Sequence, residues 1–171
     1  MPTEVRNSLA LRKALKQFAP ELGKETQKEI ASFLKPVVKT ARGFLPSNAD
    51  VPSGWVMRER KTARFPMYDA TIARRGIGYK TTPSKANRRG FRALASILNK
   101  SAGGAIYETA GRKSGISGNF TPRLRGSLKG STPKTEGRAM FRSWSEDQGK
   151  AKGYVIKAIF NSANKLNMKV K

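Results

Sequence analysis

Apolar residues recur at spacings of three and four near both ends of the chain. Leu9, Leu11, Ala14, Leu15 and Phe18 predict a short amphipathic helix with Asn7 or Ser8 at its N-cap. Pro20 stands where a second helix can begin, and Leu22, Ile30, Phe33, Leu34, Val37, Val38, Ala41 and Leu45 extend one apolar face through residues 21–45. Glu21, Glu25 and Glu29 precede Lys35, Lys39 and Arg42, an order that suits the helix dipole. Pro36 inside this run predicts a kink or short break, and Gly43 and Pro46 mark the stop. At the other end, Ala139, Met140, Phe141 and Trp144 form a helical cluster. Val155, Ile156, Ile159, Phe160, Ala163 and Leu166 follow on one face of a closing helix, with Lys165, Lys169 and Lys171 at its C-terminal end.

The centre reads differently. Residues 47–69 carry Pro52, Gly54 and Pro66 with Trp55, Phe65 and Tyr68 among them, the pattern of a long irregular loop. Its aromatic residues either cap the chain's own core or bury against a neighbouring subunit. Trp55, Phe65, Tyr68 and, further on, Phe120 are thus candidate subunit-interface residues. Residues 70–82 predict a strand with Ile72, Ile77 and Tyr79 inward and Gly76 and Gly78 at a bulge or bend. A turn follows. The run 91–99 fits either helix or strand and is read as a strand, because it is short and bounded by glycine. Residues 102–110 predict a short helix ended by Gly111. Residues 111–137 are rich in Gly, Ser, Thr, Lys and Arg and form a second long loop, expected, like 47–69, to be ordered by partners. The fold class expected is α+β in a single domain of residues 1–171: a small β-sheet flanked by a long kinked N-terminal helix and a C-terminal helix.

Charge changes this picture most. Thirty-five Lys and Arg oppose eleven Asp and Glu, a net +24. Such a field attracts polyanions and opposes a compact lone monomer through self-repulsion. Two readings compete, direct nucleic-acid binding and a surface that meets DNA or acidic protein inside an assembly; the plain alternative is a solvated basic face that only maintains solubility. The cations of the middle are Arg74, Arg75, Lys80, Lys85, Arg88, Arg89 and Arg92, then Arg112, Lys113, Arg123, Arg125 and Lys129, opposed by Glu108. Arg74, Arg75, Lys80, Arg88, Arg89 and Arg92 are the candidates for DNA contact. Placed in strands and loops, they suit phosphates rather than base reading.

The chain has no Cys and no His, which removes thiolate metal sites, disulfides and His- or Cys-based nucleophilic machinery. No phosphate-binding GxxxxGK[ST] loop is present, and Gly76 with Gly78 is only a fragment of a glycine-rich loop. Asp69 and Glu108, with Lys80 and Lys85 between them, are too sparse for a nuclease site, and capping or pairing with an Arg accounts for Glu108. No enzyme activity, cofactor, metal or small-molecule substrate is expected. The first ten residues lack the apolar run of a signal peptide, and no segment reads as a membrane span, so a protein made in the cytoplasm is expected.

Four segments together resemble the neck and tail-completion proteins of long-tailed bacteriophages, the head–tail joining family, in the form found in phages of actinobacteria. They are Leu34-Lys35-Pro36-Val37-Val38-Lys39 leading to Phe44-Leu45-Pro46, then Ser53-Gly54-Trp55. The others are Ala105-Ile106-Tyr107-Glu108-Thr109-Ala110-Gly111 and Gly137-Arg138-Ala139-Met140-Phe141-Arg142-Ser143-Trp144. The loop from Ser53 to Tyr68 departs from the family's Thr-Gly-x-Leu-Arg segment. The resemblance implies a sheet flanked by helices and a non-enzymatic ring of six copies between portal and tail tube. Its implied partners are other neck proteins and the tail-tube protein, and DNA passes through its lumen. It implies a place in the virion at the head–tail junction. The alternative is a free, non-specific nucleic-acid-binding protein.

Overall fold

A computed structural model describes residues 8–51, 55, 66–88, 90, 92–110, 128 and 136–170. The protein is α+β. Among the described residues it forms helices α1 (Ser8–Phe18), α2 (Pro20–Gly43), α3 (Ala70–Gly76), α4 (Ala102–Thr109), α5 (Met140–Glu146) and α6 (Lys150–Val170). Strands β1 (Ile77–Lys80) and β2 (Ser96–Asn99) pair as a two-stranded antiparallel sheet.

The chain divides into two compact units, and α2 runs from one into the other at Lys35–Pro36. The helix continues through Pro36 as one element, so the expected break is absent. Pro36 is exposed, whereas Val37, Val38, Ala41 and Leu45 beyond it are buried. Their burial holds the helix across the position where proline removes one backbone donor.

The first unit comprises residues 1–35, 79–96 and 149–171. Leu15 and Ala19, Leu22 of α2 and Leu166 of α6 make its core cluster, with Leu11 and Ala14 packed against it. Between α2 and α6 lies a buried polar contact, Thr26 Oγ1 to Ser162 Oγ at 2.6 Å. Each hydroxyl also lies within reach of its own helix, Thr26 of the Leu22 carbonyl and Ser162 of the Ala158 carbonyl; with one proton apiece, one hydroxyl donates to the other and the acceptor donates to its own helix, so neither is left unsatisfied. Phe33 stacks on Tyr154 with ring centroids 4.8 Å apart, and Lys165 pairs with Glu25 at the surface.

The second unit comprises residues 36–78 and 97–148. Here the structure corrects the strand expected over 70–82. Ala70–Gly76 is helical, and only Ile77–Lys80 is strand. Asp69 caps the helix, its Oδ1 accepting from the Ile72 amide at 2.8 Å, while Ala70 and Ala73 bury one face against α4. Ile72, expected inward, is 60% exposed. Gly76 makes no bulge. A Cβ there would lie 2.6 Å from Asn99 Oδ1 and 2.7 Å from Ser101 Cβ, so glycine permits the close approach of β2's end. Ser101 caps α4 by accepting from the Gly104 amide. At the far end, Gln148 and Gly149, both in the left-handed region (φ 52° and 80°), turn the chain from α5 into α6.

Candidate nucleic-acid interface and the clasp of the second unit

Between Asp69 and Glu108 the sequence holds eight cations and no acid. Five of them, Lys80, Lys85, Arg88, Arg89 and Arg92, fall in residues 79–96 of the first unit, whose described residues form a hairpin arm. Its two sides are closed by the Ser84 amide donating to the Ala93 carbonyl and the Ala93 amide donating to Ser84 Oγ, both 2.9 Å. At the tip the Gly90 amide donates to the Asn87 carbonyl, and Gly90 takes the positive φ of 75° that suits a tight turn. Lys80, Lys85, Arg88 and Arg92 are all exposed on this arm. Arg89, also among the expected contact residues, lies outside the described residues.

One residue ties the arm to the helices. Arg12 of α1 donates from Nη1 to the Thr81 carbonyl at 2.6 Å and from Nη2 to the Leu94 carbonyl at 3.1 Å. Its guanidinium therefore bridges the arm's two sides. Burial pulls its pKa below the usual arginine range, yet a guanidinium remains charged under any ordinary condition. The sequence showed Arg12 only as a polar position on an amphipathic helix, because its partners lie 69 and 82 residues away.

Arg74 and Arg75 belong to α3 of the second unit. Both are exposed, but Arg74 Nη2 also donates to the Leu45 carbonyl beyond the end of α2. A similar role falls to Arg42, whose Nε and Nη2 both bond the Ile77 carbonyl at the start of β1.

The aromatic residues proposed for a subunit interface separate. Tyr68 is fully buried, and its hydroxyl donates to the Pro46 carbonyl at 3.1 Å. It is thus a core residue of its own unit and not a surface open to a neighbour. It sits between Trp55 (centroids 5.5 Å) and Tyr107 (5.9 Å). Trp55 is half-buried and donates from Nε1 to the Pro66 carbonyl, which follows the own-core reading of this loop. Ser47, Asn48 and Asp50 are likewise held by their own chain, through Ser47 to Asp50 and Asn48 to the Ala70 amide. Phe65 and Phe120 lie outside the described residues, as does Gly111 at the expected end of α4.

The second unit is fastened by a buried carboxylate. Glu108 is 1% exposed. Its Oε2 accepts from the Ala139 and Met140 amides at 2.8 and 3.1 Å, and its Oε1 from the Phe141 amide at 2.8 Å. Ala139, at the N-cap of α5, offers no side-chain bond of its own, so Glu108 supplies the cap from another helix. Three charge-assisted bonds offset the cost of burying the charge. Gly137 makes room: a Cβ there would run into the Glu108 carboxylate. Beside it, buried Arg138 donates to the Tyr107 and Ala110 carbonyls at 2.5 and 2.6 Å and lies over the Tyr107 ring. Ser143 then donates to the Val37 carbonyl, and Arg142 covers the Phe44 ring. The capping role expected for Glu108 is what the structure shows. Arg138 was missed, since an Arg in a basic chain gives no sign of burial.

Among the described residues no group of three acidic side chains could hold a metal ion, and no helix is long and apolar enough to cross a membrane. The chain matches no protein-family model, and no curated protein or solved structure matches it.

Proposed function

We propose that the chain is a non-enzymatic structural protein of the head–tail connector of a long-tailed phage, assembling with its own copies into a ring that lets DNA pass. Its basic arm meets the phosphate backbone without reading sequence. The observation that carries this reading is the arm itself: a self-closed hairpin exposing Lys80, Lys85, Arg88 and Arg92 with no acid on it. Lys and Arg on a fixed backbone neutralise phosphates and release counterions, and nothing in that chemistry distinguishes one base pair from another. Support for the connector setting comes from the resemblance. Two of the segments that carry it, around Tyr107-Glu108 and Gly137-Phe141, are the ones clasped together in the second unit. In this setting the partners are further copies, other neck proteins and the tail-tube protein, and the place of action is the virion's head–tail junction.

The test combines binding and mass. Anisotropy with labelled 20-base-pair duplexes of unrelated sequence should give equal affinities and a log–log salt slope near −3 to −4, as expected for about four phosphates. Light scattering, alone and with DNA, should reveal a closed oligomer of six copies. Absence of duplex binding at low salt removes the reading. A second reading is favoured by the same arm: a free, non-specific nucleic-acid binder. It predicts the same salt slope from a particle that remains one copy per site.

A further inference from the structure

We infer that Arg12 is the positioning residue of the nucleic-acid interface: it holds the basic arm in one conformation before DNA arrives, so that the partner, duplex phosphate backbone, meets a rigid finger. This inference rests on the proposed role of the arm. Three observations carry it. Arg12 is the α1 residue whose guanidinium reaches both sides of the hairpin, at the Thr81 and Leu94 carbonyls. The helix that presents it is fixed, because Leu15 and Ala19 lie in the core cluster with Leu22 and Leu166, and Leu11 and Ala14 pack on it. Such support matters to the arm: among the described residues beyond β1 and β2, its two sides are joined by the Ser84–Ala93 bonds and its tip by the Asn87–Gly90 turn. A four-residue strand paired with another of the same length is marginal alone. Without a brace, the like charges on one hairpin repel each other and spread its conformations, and the ordering cost then falls on binding. A planar guanidinium suits the task because its fork spans two acceptors in fixed geometry, whereas a lysine ammonium is a point donor on a flexible stem.

The experiment compares wild type, Arg12→Lys and Lys13→Ala. Arg12→Lys keeps the charge and most of the stem. Lys13→Ala removes one charge from an exposed position on the same helix. Amide hydrogen exchange, read without DNA, follows the Ser84 and Ala93 amides, and anisotropy follows a mixed-sequence 20-base-pair duplex. Arg12→Lys should lose about tenfold in protection at both amides and weaken duplex binding about three- to tenfold at an unchanged salt slope. Lys13→Ala should keep full protection and weaken binding less than Arg12→Lys does. Wild-type protection in Arg12→Lys overturns the inference, and so does lost protection with wild-type affinity. A wild-type chain that ignores duplex DNA overturns the arm as interface. That failure is distinct from failure of the brace, which exchange decides on the free protein.

Discussion

Glu108 gathers the amides of Ala139, Met140 and Phe141 on one buried carboxylate, so its replacement by residues of different polarity separates shape from charge. Glu108→Ala leaves those donors without their acceptor and should cost roughly 3 kcal/mol or more. Glu108→Gln keeps one acceptor oxygen, sets an amide donor against a backbone N–H, and should cost about half as much. Urea denaturation of the two variants checks the order. Tyr68 makes the second prediction. Burial, with Tyr107 and Asp69 adding and Arg74 opposing, pushes its phenol up to about 12. An acid whose folded pKa exceeds its unfolded value near 10 stabilises the fold below pH 10, and that contribution disappears as pH rises toward 12. The ionised phenol also ceases to donate to the Pro46 carbonyl. Wild type should therefore lose stability between pH 10 and 12 more steeply than Tyr68→Phe, measured as melting temperature against pH.

At the scale of elements, what the sequence revealed depended on how local the signal was. α1, α2, α4 and α6 were legible because their apolar faces recur every three or four residues over one to several turns. α3 was not. Ile72 joined to Ile77 and Tyr79 across the Gly76 position suggests a strand, while the decisive signal is Asp69, a cap three residues ahead of the amide it holds. Asp69→Ala should therefore cost about 1 kcal/mol. The loss should appear as reduced exchange protection across Ala70–Gly76 with β1 unaffected. Among its described residues, the ambiguous run over 91–99 is strand in the last four, and just beyond them the Lys100 amide adds a bond to the Gly76 carbonyl. Tyr68 stayed undecided for a related reason: an aromatic residue in a Pro/Gly-rich loop looks the same whether it anchors its own core or a neighbour's. Arg12, Arg42 and Arg138 were invisible as structural residues, because each spends its guanidinium on carbonyls distant in sequence.

For the whole molecule, charge was the most legible property and the least informative about shape. The net +24 attracts polyanions in general, but only the fold shows Lys80, Lys85, Arg88 and Arg92 exposed on one arm and other cations committed to carbonyls. Changing Lys80, Lys85, Arg88 and Arg92 together to Gln should flatten the salt slope of duplex binding by roughly 3–4. It should leave the melting temperature unchanged or higher, since like charges no longer repel. Salt titrations of wild type and the fourfold variant measure both. The fastening of Ala110 to Arg138 has a practical side. Both ends of the stretch between them are stapled to the same helix pair, whatever its length or composition. Doubling such a stretch adds only about 0.6 kcal/mol of closure entropy. An epitope or a fluorescent protein spliced into it should thus be carried by an intact host, giving a handle with which to count copies of this protein in any assembly it forms.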